Sequence, residues 1–108
     1  MISEREMEAS IVRHLTRVGV PVQRQVRVRS GIIDLLTPAA MYEVKRLLTR
    51  VAMWQGLGQL LVYAREVTPT RHHRVLIGHH TGDTERLAPV FNALGVTVYA
   101  CAATTPRR

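Results

Sequence analysis

The sequence predicts one α/β domain in which helices pack on a mixed β-sheet of about five strands. Apolar residues recur at helical spacing in three segments, strand-like apolar runs lie between them, and the resulting order is α-β-β-β-α-β-α-β. A chain of 108 residues is long enough for one apolar core and too short for two. We assign residues 1–100 to this single domain and expect residues 101–108 to form a frayed tail.

The first predicted helix covers residues 4–18. Ser3 followed three residues later by Glu6 is a capping-box pattern, and Gly19 supplies the C-terminal stop. The next segment, VPVQRQVRVRSG, alternates apolar with polar residues, which predicts a half-exposed strand. Its apolar face is expected to hold Val20, Val22, Val26 and Val28.

Two further strands are predicted close behind, IIDLL and MYEVK, joined by a turn at Thr37-Pro38-Ala39-Ala40. Connections as short as these predict antiparallel neighbours. From about Leu48 to Glu66 the pattern is helical, and apolar residues wrap more than half of the circumference. We therefore expect this helix to be mostly buried, Trp54 included, and to end at Thr68-Pro69.

A fourth strand is predicted at HRVLIG, residues 73–78. A strand, helix and strand of these lengths imply a parallel crossover. A shorter helix follows Thr81-Gly82-Asp83 and stops at Gly95. Pro89 lacks an N–H and is therefore expected near the start of that helix. The segment GVTVYA is the fifth predicted strand.

The formal net charge of +7 favours polyanionic partners, and nucleic acid first among them. The arginines that flank the acidic segment discussed next are candidates for DNA phosphate contacts: Arg24, Arg27, Arg29, Arg46 and Arg50. No apolar run approaches a membrane span, the N-terminus is charged, and Cys101 is the only cysteine. We accordingly expect a cytoplasmic protein with no membrane partner.

Residues 31–46, GIIDLLTPAAMYEVKR, contain the only lysine of the chain, whereas the other fourteen basic residues are arginine. Glu43 and Lys45 are two apart on a predicted strand, so both side chains leave the same face. Asp34 lies on the preceding strand, close enough to share that face. Two acids and one ammonium leave a net negative charge, which a hard divalent cation would balance through oxygen ligands.

Phosphodiester hydrolysis is the chemistry that needs this set. A metal polarises the phosphoryl oxygen and lowers the pKa of a bound water, while carboxylates hold the metal. Lysine suits the position beside that water because its ammonium is compact and its pKa can shift, whereas a guanidinium stays protonated and planar. The pattern therefore predicts a metal-dependent nuclease.

On these residues the chain resembles the PD-(D/E)XK nuclease superfamily, which has the restriction-endonuclease-like fold. Gly31-Ile-Ile-Asp34 is similar to the motif of the first metal-binding acid, although Ile33 replaces its usual proline. Residues 43–45 are similar to the E-x-K motif, and residues 59–63, QLLVY, to the Q-x-x-x-Y element of RecB-type nucleases. Glu8 lies on the first helix, where Holliday junction resolvases carry a further glutamate.

The resemblance implies a role for each matching residue. Asp34, Glu43 and the backbone carbonyl of Val44 would be ligands of Mg²⁺, with Mn²⁺ as a substitute, and Glu8 would complete the shell. The catalytic set would consist of Asp34, Glu43, Lys45 and Gln59. Lys45 would lie beside the water, and Gln59 would orient the lysine or a substrate phosphate. Each of two residues also has a purely structural interpretation. Gln59 would then make a hydrogen bond within the core, and Glu8 would interact favourably with the dipole of the first helix.

By the same resemblance, the expected function is a Mg²⁺-dependent DNA endonuclease that selects branched DNA, in the manner of Holliday junction resolvases, and acts as a homodimer. Two alternatives stay open. One is an exonuclease or a restriction or repair nuclease subunit of the same fold. The other is a catalytically silent DNA-binding or assembly protein.

Overall fold

Eight elements follow one another in the predicted order in the computed structural model, which describes residues 2–67 and 71–101. The helices are α1 (Glu4–Arg17), α2 (Arg50–Glu66) and α3 (Thr84–Ala93). The strands are β1 (Gln23–Val28), β2 (Gly31–Leu36), β3 (Ala40–Leu47), β4 (His73–His79) and β5 (Val96–Cys101).

The five strands form one mixed sheet in the order β1-β2-β3-β4-β5. The short connections give antiparallel β1–β2 and β2–β3 pairs, as predicted. The two helical crossovers give parallel β3–β4 and β4–β5 pairs. The α/β class and the mixed five-stranded sheet are thereby confirmed.

The sheet carries a larger core on the side of α2 and α3 and a smaller one on the side of α1. The larger core is formed by Ile33, Met41, Leu48, Met53, Leu57, Leu60, Tyr63, Leu76, Phe91 and Val96. The smaller core is formed by Met7, Leu35 and Val44. The sheet therefore has one thick and one thin layer, and the N-terminal half of α1 lies over β3.

The expectation that the β1 valines share one face is wrong. Val22 packs on the α1 side, whereas Val26 and Val28 pack on the α2 side. Between them Gln25 has a φ of 52°, in the left-handed region, which interrupts the regular alternation of the strand. At Gln25 the apolar side chains of this segment therefore change from the α1 side of the sheet to the α2 side.

The predicted capping box of α1 is confirmed, whereas the predicted position of Pro89 near the start of α3 is wrong. The Glu6 N–H donates to Ser3 Oγ at 3.1 Å and the Ser3 N–H donates to Glu6 Oε1 at 3.0 Å, which completes the capping box. Pro89 lies in the interior of α3 rather than near its start. Burial of Phe91 in the larger core offsets the hydrogen bond that Pro89 cannot make.

Helix α2 is not mostly buried, contrary to the expectation from its composition. One side faces the sheet through Met53, Gly56, Leu57, Leu60 and Tyr63. The outer side leaves Val51, Trp54, Leu61 and Val62 exposed. With the sheet on one side and α3 on another, a third side of the helix stays uncovered.

Two predictions at segment ends have different outcomes. Cys101, assigned to the tail, is the last residue of β5. The stop at Thr68-Pro69 and the tail at 102–108 lie outside the described residues.

Within residues 2–67 and 71–101, no helix has both the length and the apolar character needed to cross a membrane.

Candidate active site between strands β2 and β3

Strands β2 and β3 are paired at only two positions, Leu35 with Tyr42 and Leu36 with Met41. One further step would set Asp34 opposite Glu43, but the ladder ends before it. Instead, the Val44 N–H donates to Asp34 Oδ2 at 2.8 Å. A side-chain carboxylate thus satisfies a β3 donor, and the two strands separate from this point onwards.

The three residues singled out in the sequence lie together at this gap. Lys45 Nζ is 3.7 Å from Glu43 Oε2, and the Asp34 charge acts on the Glu43 carboxyl group. Glu43 is 4% exposed, and its Oε1 is buried without a hydrogen-bond partner. A buried oxygen without a donor is costly, so this atom is a natural position for a bound cation or a proton.

The buried position of the cluster shifts the pKa of both acids upwards. Burial, followed by the charge of Asp34, raises the pKa of Glu43 to about 8, and the opposing effect of Lys45 is smaller. Burial also raises the pKa of Asp34, against the hydrogen bond from Val44 and the charge of Lys45. Without a cation the Glu43 carboxyl group therefore holds a proton at neutral pH.

Glu8 lies close to this cluster on α1. It is 8% exposed, and burial and then the charge of Asp34 raise its pKa. Its Oε1 accepts a hydrogen bond from Gln25 Nε2 at 3.1 Å and lies 3.8 Å from Arg24 Nη2. Glu8 is therefore electrostatically coupled to Asp34, while one of its oxygens is already engaged by β1.

Two residues near the cluster were missed from the sequence. Glu4 Oε2 accepts the Arg46 N–H at 3.1 Å, and the Glu4 charge contributes to the raised pKa of Asp34. The four-residue spacing of Glu4 and Glu8, which sets them on one face of α1, was the available signal. Gln25 gave no such signal, because glutamine is not a residue that favours positive φ.

The end of β3 is fixed by its contact with β4. The register shifts between Lys45 and Leu47, and a Cβ on Gly78 would overlap the Lys45 carbonyl oxygen. Beyond the shift, the Leu48 N–H donates to the His79 carbonyl at 2.9 Å, and the Leu48 carbonyl accepts from Thr81 Oγ1 at 2.6 Å. Lys45 is thus held on a rigid strand end.

Helix α2 places Gln59 partly buried, with an Oε1 that has no hydrogen-bond partner. Gln55, one turn earlier on α2, is exposed. Gln55 lines a groove together with Lys45 and Ala52. Tyr63 packs against Gly31, where any Cβ would overlap its hydroxyl group. The QLLVY element therefore contacts the GIID segment through its tyrosine.

The candidate DNA-binding arginines are spread around this site. Arg24 lies beside Glu8, and Arg46 lines the groove that opens at Lys45. Arg27 lies further along the β1–β2 hairpin, opposite Ile32. Arg29 follows β1 at the hairpin turn. Arg50 lines a separate depression with Asp83, Arg86 and Leu87.

The donor set fits a hard divalent cation with few protein ligands. Across residues 2–67 and 71–101, no three His, Cys, Asp or Glu side chains form a ready-made metal site. Mg²⁺, however, usually takes only one or two carboxylates and keeps several waters. Asp34 and Glu43 supply two carboxyl groups and one unpartnered oxygen. The ligand roles of Glu8 and the Val44 carbonyl stay predictions.

Comparison of the chain with protein-family models, with curated proteins and with solved structures finds no match.

Proposed function

We propose that this chain is a divalent-metal-dependent DNA nuclease of the PD-(D/E)XK type, built on a restriction-endonuclease-like core. The observation that carries the proposal is the meeting of Asp34, Glu43 and the only lysine at a strand gap, with one Glu43 oxygen buried and unpartnered. Polar groups buried at such cost are concentrated at functional sites. The net charge of +7 supports a polyanionic substrate.

Asp34 and Glu43 would hold the ion, Mg²⁺ or Mn²⁺ in its place, and the ion would supply polarisation of the phosphoryl group and an activated water. Lys45, on its rigid strand end, stabilises negative charge at the scissile phosphate. Gln59, with a buried oxygen in need of a donor, orients the lysine ammonium or a phosphate. Arg24 and Arg46, at the rim, bind the flanking phosphates.

Within this class we propose an endonuclease that reads DNA shape. Selectivity for branched DNA follows from the resemblance of residues 8, 34, 43–45 and 59–63 to Holliday junction resolvases and RecB-type nucleases. A cytoplasmic homodimer with two sites for two strands completes the proposal. The homodimer follows from the resemblance to Holliday junction resolvases.

A second candidate keeps the fold without catalysis. In the described part of the chain no three potential ligand side chains converge, and the raised pKa of Glu43 shows that a proton can occupy the site instead of a metal. A DNA-binding or assembly protein would tolerate such a site. The two candidates make opposite predictions for cleavage.

The deciding experiment incubates the purified protein with a four-way junction, a flap, linear duplex and single-stranded DNA, each with Mg²⁺, Mn²⁺ or EDTA. We expect metal-dependent nicking of the junction. Degradation from ends would favour the exonuclease, and binding without cleavage in either metal would favour the silent protein.

Lys45→Ala should abolish cleavage while DNA affinity stays within a few-fold, and Lys45→Arg should cleave poorly because guanidinium is planar and stays protonated. Arg65→Ala is the matched control, since it removes an exposed cation far along α2. Full cleavage by Lys45→Arg would refute the role given to Lys45.

A further inference from the structure

Gln25 is the only residue other than glycine that has a positive φ within residues 2–67 and 71–101. Its φ of 52° lies in the left-handed region, which glutamine rarely adopts. Such a conformation persists only where the surrounding structure holds it, and strained residues are concentrated at functional sites. A strained residue beside the candidate site is therefore a candidate for a role in that site.

The strained position lies opposite Asp34. The pairing of β1 with β2 includes the residues on either side of Gln25 and Asp34, but not these two residues themselves. The pairing of β2 with β3 also ends before Asp34. Asp34 therefore has no register partner on either neighbouring strand, and the irregularity at Gln25 is part of the opening at the site.

The left-handed turn sets two consecutive side chains against Glu8. Adjacent residues of a regular strand point to opposite faces of the sheet. Arg24 and Gln25 nevertheless reach the same atom, because Glu8 Oε1 accepts a hydrogen bond from Gln25 Nε2 at 3.1 Å and lies 3.8 Å from Arg24 Nη2. Strand irregularities that re-aim a side chain in this way are common beside active sites. A regular strand would turn one of these two side chains to the opposite face.

The hydrogen bond from Gln25 orients the Glu8 carboxylate. Both contacts engage Oε1 of Glu8, which leaves Oε2 for a ligand at the cluster. Glu8 is 8% exposed and is subject to the charge of Asp34, so it needs a fixed partner to stay beside that like charge. Arg24 alone would compete with a cation for the charge of Glu8. The uncharged amide of Gln25 instead orients the carboxylate and leaves its charge available, as hydrogen bonds to metal-binding carboxylates do.

We propose that Gln25 is a positioning residue of the candidate active site, which holds the Glu8 carboxylate beside Asp34 for a bound divalent cation. The inference rests on the metal dependence of the proposed function. Gln25 acts through Glu8 and does not touch the reacting groups. The left-handed backbone at this position is thus maintained for the orientation of a side chain and not for stability.

Binding of Mn²⁺ to the full chain without DNA, measured by isothermal titration calorimetry, tests the proposal. Gln25→Met keeps the length and the net charge of the side chain but removes its donor, and it should weaken Mn²⁺ binding about tenfold. Gln23→Met, the same change at an exposed glutamine of the same strand, should leave binding unchanged. Gln25→Gly, which adopts the left-handed conformation without strain, should bind as weakly as Gln25→Met. Circular dichroism confirms that the variants are folded.

A double substitution separates the positioning of Glu8 from a general effect on the fold. Glu8→Gln should itself weaken Mn²⁺ binding. Adding Gln25→Met to Glu8→Gln should cause no further loss, because Gln25 acts only through Glu8. Two independent structural effects would instead give losses that multiply.

The outcomes distinguish this proposal from the nuclease proposal. If the wild-type protein binds Mn²⁺ and cleaves DNA, and Gln25→Met matches it in both, the role of Gln25 is overturned while the nuclease proposal stands. A full tenfold loss on adding Gln25→Met to Glu8→Gln would overturn that role as well. If the wild-type protein binds no Mn²⁺ and cleaves no DNA, the nuclease proposal fails and the role of Gln25 fails with it.

Discussion

Strand β3 is bonded to its two neighbours in different ways. With β4 it is in register from Ala40 to Lys45, the register shifts before Leu47, and Gly78 allows the backbones to approach closely at Lys45. With β2 it shares only two paired positions, and beyond them the Asp34 side chain takes over as acceptor for Val44. One edge of β3 is therefore paired along nearly its whole length, whereas the other edge is paired at two positions only.

The difference shows how a small sheet builds a polar site without an added loop. A full β2–β3 ladder would leave no room for charged groups between the strands. Because the β2–β3 ladder ends early, the Asp34 and Glu43 side chains can lie together at the gap. The pairing with β4 holds Lys45 in place. Rigid support on one edge and an opened ladder on the other together create the site.

The largest expected effect comes from removing the side chain that replaces the β2–β3 ladder. Asp34→Ala should reduce metal-dependent cleavage by about a thousandfold, since a lost metal ligand removes several kcal/mol of stabilisation. It should also lower the free energy of unfolding by about 1–3 kcal/mol, because the Val44 N–H loses its acceptor. Asp34→Asn is the matched variant, because its amide oxygen can still accept that bond. It should lose cleavage and keep stability, as measured by urea unfolding.

On the opposite edge of β3, Gly78→Ala should lower the free energy of unfolding by about 3 kcal/mol, because the new Cβ overlaps the Lys45 carbonyl. Gly58→Ala is the control. Its Cβ has open space on a helix, so it should raise the free energy of unfolding by up to about 1 kcal/mol. Equal stability of the two variants would mean that the β3–β4 edge is more adaptable than the contact indicates.

The opening also predicts how stability depends on pH. The Glu43 pKa of about 8 lies above its ordinary value of 4.5, so the folded protein holds this proton more tightly than the unfolded chain. That contribution is fully present below about pH 4.5 and is lost as pH rises through 8. In metal-free buffer, the free energy of unfolding of the wild-type protein should therefore decrease by a few kcal/mol over this pH interval, and Glu43→Gln should remove that decrease. Glu85→Gln, which removes an exposed carboxylate, should retain it.

Element order and strand direction could be predicted because they depend on local patterns. The capping box at Ser3, the short turn before β3 and the helical crossovers each leave a signature within a few residues. Exposure could not be predicted in the same way. Trp54 and Val51 are apolar, and only the placement of α3 and the sheet decides which side of α2 is covered.

The candidate site divides along the same line. Asp34, Glu43 and Lys45 could be grouped because strand periodicity and one short turn connect them. The spacing of Glu4 and Glu8 sets both on one face of α1, but their contacts with Arg46 and Gln25 depend on how α1 crosses the sheet, which no local pattern encodes. The early end of the β2–β3 ladder could not be predicted either, since IIDLL and MYEVK have the pattern of ordinary strands.

The smallest predicted effect concerns Gln25, next to the opening on the β1 side. Its φ of 52° is strained for any residue except glycine, whereas Gln23 lies on the same strand without a positive φ. At position 25, the Gly variant should therefore be more stable than the Ala variant by about 1 kcal/mol, as both lose the bond to Glu8 equally. At position 23 the order should reverse, because glycine in a regular strand costs conformational entropy. Urea unfolding of the four variants measures both differences. If alanine is favoured at both positions, the left-handed turn at Gln25 does not cause the change of face in β1.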